Sequence, residues 1–214
     1  PNNSGSVMVA PGAAGARLSG RTTTYPETLR PALEVIGAHS KAGLVSGMYM
    51  LVFERRIVFC ADTTVNFQPN SEQLAQIGYS AARIVRTLGE VPRVAMLSFS
   101  NFGSTPHPLS DKVRKAVELT KSRRPDLPVD GEMQADTAVV ADIIENRYPF
   151  SAVKDTNVLV FPSLESANIA YKLLANLGKA KAIGPILLGM GAPVHVLQTG
   201  DDVNAIVQIA SVAV

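Results

Sequence analysis

The sequence holds a single cysteine, Cys60, in 214 residues, so neither an internal disulfide nor a cysteine metal cluster can form. Cys60 follows the apolar run Ile57-Val58-Phe59 and reads as a buried, inert thiol in a reducing cytoplasm. No apolar stretch reaches the roughly 18 residues that cross a bilayer, and no charged start precedes a signal-like apolar core, so we expect no membrane span and no export. Charge of one sign is also missing. Lys plus Arg number 20 against 18 Asp plus Glu, without a long basic block, which removes nucleic acid as the default partner. The pairs Arg55-Arg56 and Arg123-Arg124 read as solvated surface.

Standard catalytic signatures are absent too. There is no Walker loop, no HExxH, no GxSxG and no GxGxxG followed by an acidic residue, and Gly189-Met190-Gly191 reads as a tight turn. His39, His107 and His195 lack paired ligand spacing, so no metal site is expected. What is present is a folding chain: 46% hydrophobic and 18% charged, with 16 Gly and 14 Pro dispersed along it, which excludes disorder and collagen. The first residue is Pro1 rather than Met, which leads us to expect a processed product or a piece of a longer chain.

The spacing predicts a helix through Thr28–Ile36 stopped by Gly37. A hairpin follows, Met48–Phe53 and Ile57–Ala61 with the polar tip Glu54-Arg55-Arg56. Leu74, Ile77, Ile84, Val85 and Leu88 define a helix opened by Ser71. Further on we expect a strand over Arg93–Phe99, a helix capped by Ser110, a helix near Thr137–Glu145, a strand over Asn157–Phe161 and a helix over Ser163–Leu177. Strands over Ile183–Leu188 and Pro193–Leu197 and a helix from Asp201 complete the pattern. Apolar strands alternating with amphipathic helices predict an α/β fold: a mostly parallel sheet covered by helices on both faces, with an early antiparallel hairpin. In such sheets ligands lie beyond the carboxyl ends of strands, which directs attention to the turns after Phe99, Phe161, Leu188 and Leu197. The Ser100–Ser104 turn is either an anion site or an ordinary loop. Asp130, Glu132 and Asp136 either do acid/base work or cap the following helix.

Several segments, in order, resemble the phosphate acetyltransferase/butyryltransferase family. They are Ser19-Gly20 with Thr28–Leu33, Ala61-Asp62 with Val65-Asn66, Arg93–Ser98, Val129–Glu132, Phe161–Asn168, Lys181 and Gly184-Pro185-Ile186. Ser98–Ser104 and Pro193–Leu197 look most like the phosphotransacetylase-like C-terminal domain of multidomain NADP-dependent malic enzymes. The resemblance implies two subdomains with a cleft between them, divided here into 1–150 and 151–214, with the N-terminal part of the family domain missing. It also implies a homodimer or higher homo-oligomer.

Active members attack acetyl phosphate with the thiol of coenzyme A. They place a Ser-Arg pair directly after the strand that here ends at Leu197, and an Asp seven residues beyond that Ser. This chain has Gln198, Thr199 and Ala205 instead, so the resemblance implies no catalytic residue. It implies an acetyl-CoA effector pocket at Arg30, Ser100, Asn101, Gly103, Ser104, Gly184, Pro185, Ile186, Gln198 and Thr199. NADP and a divalent metal would belong to malic enzyme domains outside this chain. Two rivals stand beside this allosteric module: a working phosphate acetyltransferase using Thr199 with Asp201 or Asp202, and a structural dimerisation domain using the helices at Ser163–Leu177 and Asp201–Val214.

Overall fold

The computed structural model describes residues 2–20, 23–39, 43–197 and 202–212. In chain order the elements are α1 (Asn2–Val9), β1 (Arg17–Ser19), α2 (Tyr25–Val35), β2 (Ser46–Val52), β3 (Ile57–Ala61), α3 (Ser71–Thr87), β4 (Val94–Leu97) and α4 (Pro108–Arg123). They continue with β5 (Val129–Met133), α5 (Ala135–Val139), α6 (Ala141–Arg147), β6 (Val158–Val160), α7 (Leu164–Asn176), β7 (Lys181–Leu188), β8 (Val194–Val196) and α8 (Val203–Val212). Among the described residues the strands form one eight-stranded sheet in the order β1-β8-β7-β2-β3-β6-β4-β5. Strands β3, β6, β4 and β5 run parallel, as do β1 and β8, while β2 pairs antiparallel with both β3 and β7. The fold is therefore α/β with a mostly parallel sheet and an early antiparallel hairpin. β6, from beyond position 150, lies between β3 and β4, so the sheet is continuous across that position.

Alternation along each strand sends side chains to two faces, and both are covered. Phe59, Ala61, Val94, Met96, Val158 and Val160 pack against α3 and α4, whose Leu74, Ile77, Ala81, Val85, Val113 and Val117 share one cluster with them. Val58, Cys60, Ala95, Leu97 and Leu159 face the other way, onto α5, α6 and α7. Fully burying a side chain such as Ile77 or Phe59 contributes about 1.5–3 kcal/mol. Among the described residues no helix is long and apolar enough to cross a membrane.

The structure corrects several local expectations. Helix α3 opens at Ser71 as expected, and its capping side chain is that of Asn70, one residue earlier: Asn70 accepts from the Gln73 N–H and its own N–H donates back to the Gln73 side chain, both at 2.9 Å. His107, not Ser110, caps α4, with Nδ1 accepting the Leu109 N–H at 3.1 Å. The helix expected over 137–145 is two short helices, because Val140 is extended (φ −107, ψ 109). Asp130 and Glu132 cap nothing: they sit on β5, a strand whose polar sequence hid it. The basic pairs also do more than meet solvent. Arg123 grips Glu72 with both terminal nitrogens, and Arg56 donates to the Val139 and Thr156 carbonyls at 3.1 and 2.9 Å.

Candidate functional site

A cleft of about 430 Å³ lies where the end of β3 meets the start of α7, with Thr23 and Thr24 ahead of α2 and Leu197 after β8 completing its wall. One carboxylate organises its floor. Asp62, 1% exposed, accepts from the N–H groups of Gly47, Thr64 and Val65 on Oδ1 at 2.9–3.1 Å. Its Oδ2 takes the Asn66 N–H at 2.8 Å and the Asn66 amide at 2.5 Å. This fan bends the chain sharply after β3 and sets Thr63 and Thr64 on the cleft wall. Gly47 is required there: a Cβ on it would stand 1.8 Å from the Thr64 hydroxyl.

Helix α7 supplies the opposite wall. Leu164, Asn168, Tyr171 and Lys172 recur at spacings of four, three and one, which places them along one helix face. Ser163 fixes the helix start by accepting the Ser166 N–H. The Tyr171 ring stacks on Tyr49 of β2 with centroids 4.1 Å apart and planes 12° apart. Burial raises the Tyr171 phenol above its usual range, partly offset by its hydrogen bond with Tyr49. The Lys172 ammonium is exposed at the rim and makes no ion pair among the described residues. The cleft thus offers hydroxyl and amide hydrogen-bonding groups, two stacked phenols and one cation. Its described lining holds no carboxylate, imidazole or thiol. Such a surface can bind an anionic, partly flat ligand; among these residues nothing is placed to take a proton from a thiol.

The residues expected at the pocket are not gathered together. Arg30 is exposed on α2 beside a separate shallow depression with Leu29, Leu33 and Glu34. The Ser100–Ser104 turn closes on itself around Glu132. The Ser100 hydroxyl and Gly103 N–H donate to Oε1 of that buried carboxylate at 2.9 and 2.6 Å, and Arg114 pairs with Oε2 at 3.2 Å. Asn101 donates its N–H to the Ser104 hydroxyl at 2.9 Å and accepts the Gln134 N–H at 2.8 Å. Gly184 borders the cleft from behind Tyr49: at φ 149 it lies so close that a Cβ would meet the ring at 2.8 Å. Pro185 is buried beside it, and Ile186 is wholly buried in the core of the other sheet face. Gln198 and Thr199 fall outside the described residues.

Sequence reasoning missed Tyr49, Thr63, Thr64, Asn168, Tyr171 and Lys172. The usable signals were Ala61-Asp62 with Val65-Asn66, and the Phe161–Asn168 segment, both of which flank this wall.

The family description "phosphate acetyl/butaryl transferase" matches residues 1–214. The phosphate acetyltransferase of Thermoanaerobacterium thermosaccharolyticum is 43% identical over 213 residues, spanning 96% of this chain and 65% of that protein. The NADP-dependent malic enzyme of Escherichia coli is 40% identical over 216 residues, spanning all of this chain and 28% of that protein. A phosphotransacetylase from Streptococcus pyogenes superimposes with a TM-score of 0.95 at 37% identity, over 99% of this chain and 65% of that one. The chain therefore spans just under two thirds of the transferases and little more than a quarter of the malic enzyme, and in both cases the match runs through the β3 turn and α7 that build the cleft. The chain therefore belongs to the phosphate acetyl/butaryl transferase family.

Proposed function

We propose that this chain is a non-catalytic, acetyl-CoA-binding regulatory domain of an NADP-dependent malic enzyme, acting on malate oxidation carried out by domains outside it. The observation that carries the reading is that Gln198, Thr199 and Ala205 stand where the family resemblance implies that active members carry their Ser-Arg pair and Asp. Losing one preorganised charge-stabilising donor costs about 10²- to 10³-fold in rate, and losing a general base about 10²- to 10⁴-fold more. Two features of the cleft support the reading. Its described lining carries no carboxylate, and Lys172 with the threonines suits phosphate-bearing ligands. An effector of this kind needs about 1–3 kcal/mol of differential affinity between two states.

The rival transferase reading draws on the 43% identity to a phosphate acetyltransferase. Of its substitute bases, Asp202 is already engaged, its Oδ1 accepting the Ala205 N–H at 2.8 Å at the start of α8. The structural reading draws on the exposed stripe of Ile169 and Leu173 on α7 and Leu177 at its C-cap, at 54, 52 and 79% exposure. Following coenzyme-A-dependent loss of acetyl phosphate separates the first two. The regulatory reading predicts no turnover above the buffer rate, and brisk turnover overturns it.

A further inference from the structure

On the sheet face opposite Tyr49 a second cavity, of about 290 Å³, opens between α3, the β7–β8 turn and α8. It shares no lining residue with the cleft. His195, at the centre of β8, is 4% exposed and lines it. Nδ1 accepts a long hydrogen bond from the Leu187 N–H at 3.4 Å, which puts the imidazole proton on Nε2. Burial holds the group neutral, with its pKa lowered to about 4. The Nε2–H is given no protein partner among the described residues, and the residue that carries it lines this cavity. Arg83 of α3 stands at the same cavity, exposed and without an ion pair among the described residues. Ile84, Ile186, Met190 and Val212 supply apolar walls. The rim is held in shape: the His39 N–H donates to the Gly189 carbonyl at 2.8 Å and the Gly191 N–H to the Gly37 carbonyl at 3.0 Å.

We infer that this cavity is a second ligand site, taking a short-chain carboxylate. The carboxylate meets the Arg83 guanidinium and the His195 Nε2–H, and its aliphatic body lies against Ile84, Ile186 and Val212. At about 290 Å³ the cavity stands at the small end of the roughly 300–1,000 Å³ usual for ligand pockets, a size that suits a small acid. Phosphate satisfies the polar end but leaves the apolar walls against water.

The test is proton and nitrogen NMR of the three histidines of the full chain at neutral pH, titrated with butyrate, inorganic phosphate or 1-butanol. His195→Gln identifies the His195 signals by their loss. Butyrate is expected to shift those signals saturably, with phosphate and butanol much weaker. Arg83→Gln, on an exposed site that leaves folding intact, weakens butyrate by about tenfold or more. Lys172→Ala, in the cleft, leaves the butyrate response in place, so this site stands or falls apart from acetyl-CoA binding. No saturable shift with butyrate, a response untouched by Arg83→Gln, or phosphate matching butyrate would each overturn the inference.

Discussion

Replacing Asp62 by Asn probes the device that builds the cleft. The native carboxylate gathers five donors on two oxygens, four of them backbone N–H groups, while 1% exposed. An amide keeps one acceptor oxygen. If that oxygen stays where Oδ1 was, the new NH2 group points at both donors of Asn66, and two charge-assisted hydrogen bonds become two opposed donors. Hydrogen bonds to a charged group contribute about 1.5–3 kcal/mol each, and an unsatisfied buried donor costs about 1–3 kcal/mol. We therefore expect Asp62→Asn to destabilise the chain by about 4 kcal/mol, a large share of the about 5–15 kcal/mol that folded domains possess. In a chain of this size that lowers the Tm by about 8–16 °C. Urea unfolding and calorimetry read both numbers. A loss below about 1 kcal/mol would refute the reasoning, since it would mean that the fan of donors is satisfied equally well without the charge.

Three other outcomes follow from buried groups. In Glu132, burial raises the carboxyl, but the Gly103 N–H, the Ser100 hydroxyl and Arg114 outweigh it, and its pKa falls below 4.5. A carboxyl lowered on folding adds stability that is present above its unfolded value and lost as pH falls through the folded one. Glu132→Gln should then flatten the fall of Tm with acidification below pH 4.5, and an unchanged acid limb counts against the network. Burial pushes the Cys60 thiol up to about 12, so a thiol reagent at neutral pH should react only after denaturation; rapid labelling of the native chain would contradict the core position. Gly184→Ala must accommodate a Cβ 2.9 Å from the Met48 carbonyl and 2.8 Å from the Tyr49 ring, at a φ of 149. A stability loss of about 1–3 kcal/mol is expected, read by urea unfolding, and a neutral result refutes the close packing behind the cleft.

Elements whose pattern is local were legible in the sequence. The spacing of Leu74, Ile77 and Val85 marks α3, the polar Glu54-Arg55-Arg56 tip marks the β2–β3 hairpin, and Ser163 marks the start of α7. β5 was not legible, because Asp130 and Glu132 break its apolar run. Their partners lie elsewhere in the chain: Lys121 and Ser151 for Asp130, Arg114 and Ser100 for Glu132. Carboxylates that serve as internal counter-ions look, in sequence, like carboxylates waiting to act. The same holds for the Ser100–Ser104 turn, where the Ser100 hydroxyl and the Asn101 and Gly103 N–H groups are already spent on Glu132 and Ser104. The cleft itself depends on Tyr49 and Tyr171, brought into contact only when α7 packs across β2. No periodicity connects two tyrosines so far apart in sequence. The family resemblance does reach their neighbourhood, through Asp62 and Asn168.

The most direct test of the regulatory reading is titration calorimetry of the full chain with acetyl-CoA, beside the Lys172→Ala variant, with free coenzyme A followed in the same samples. Saturable binding that weakens when Lys172 is removed is expected, with acetyl-CoA recovered intact after incubation with phosphate. Absence of binding at millimolar ligand, or release of coenzyme A with formation of acetyl phosphate, would contradict it.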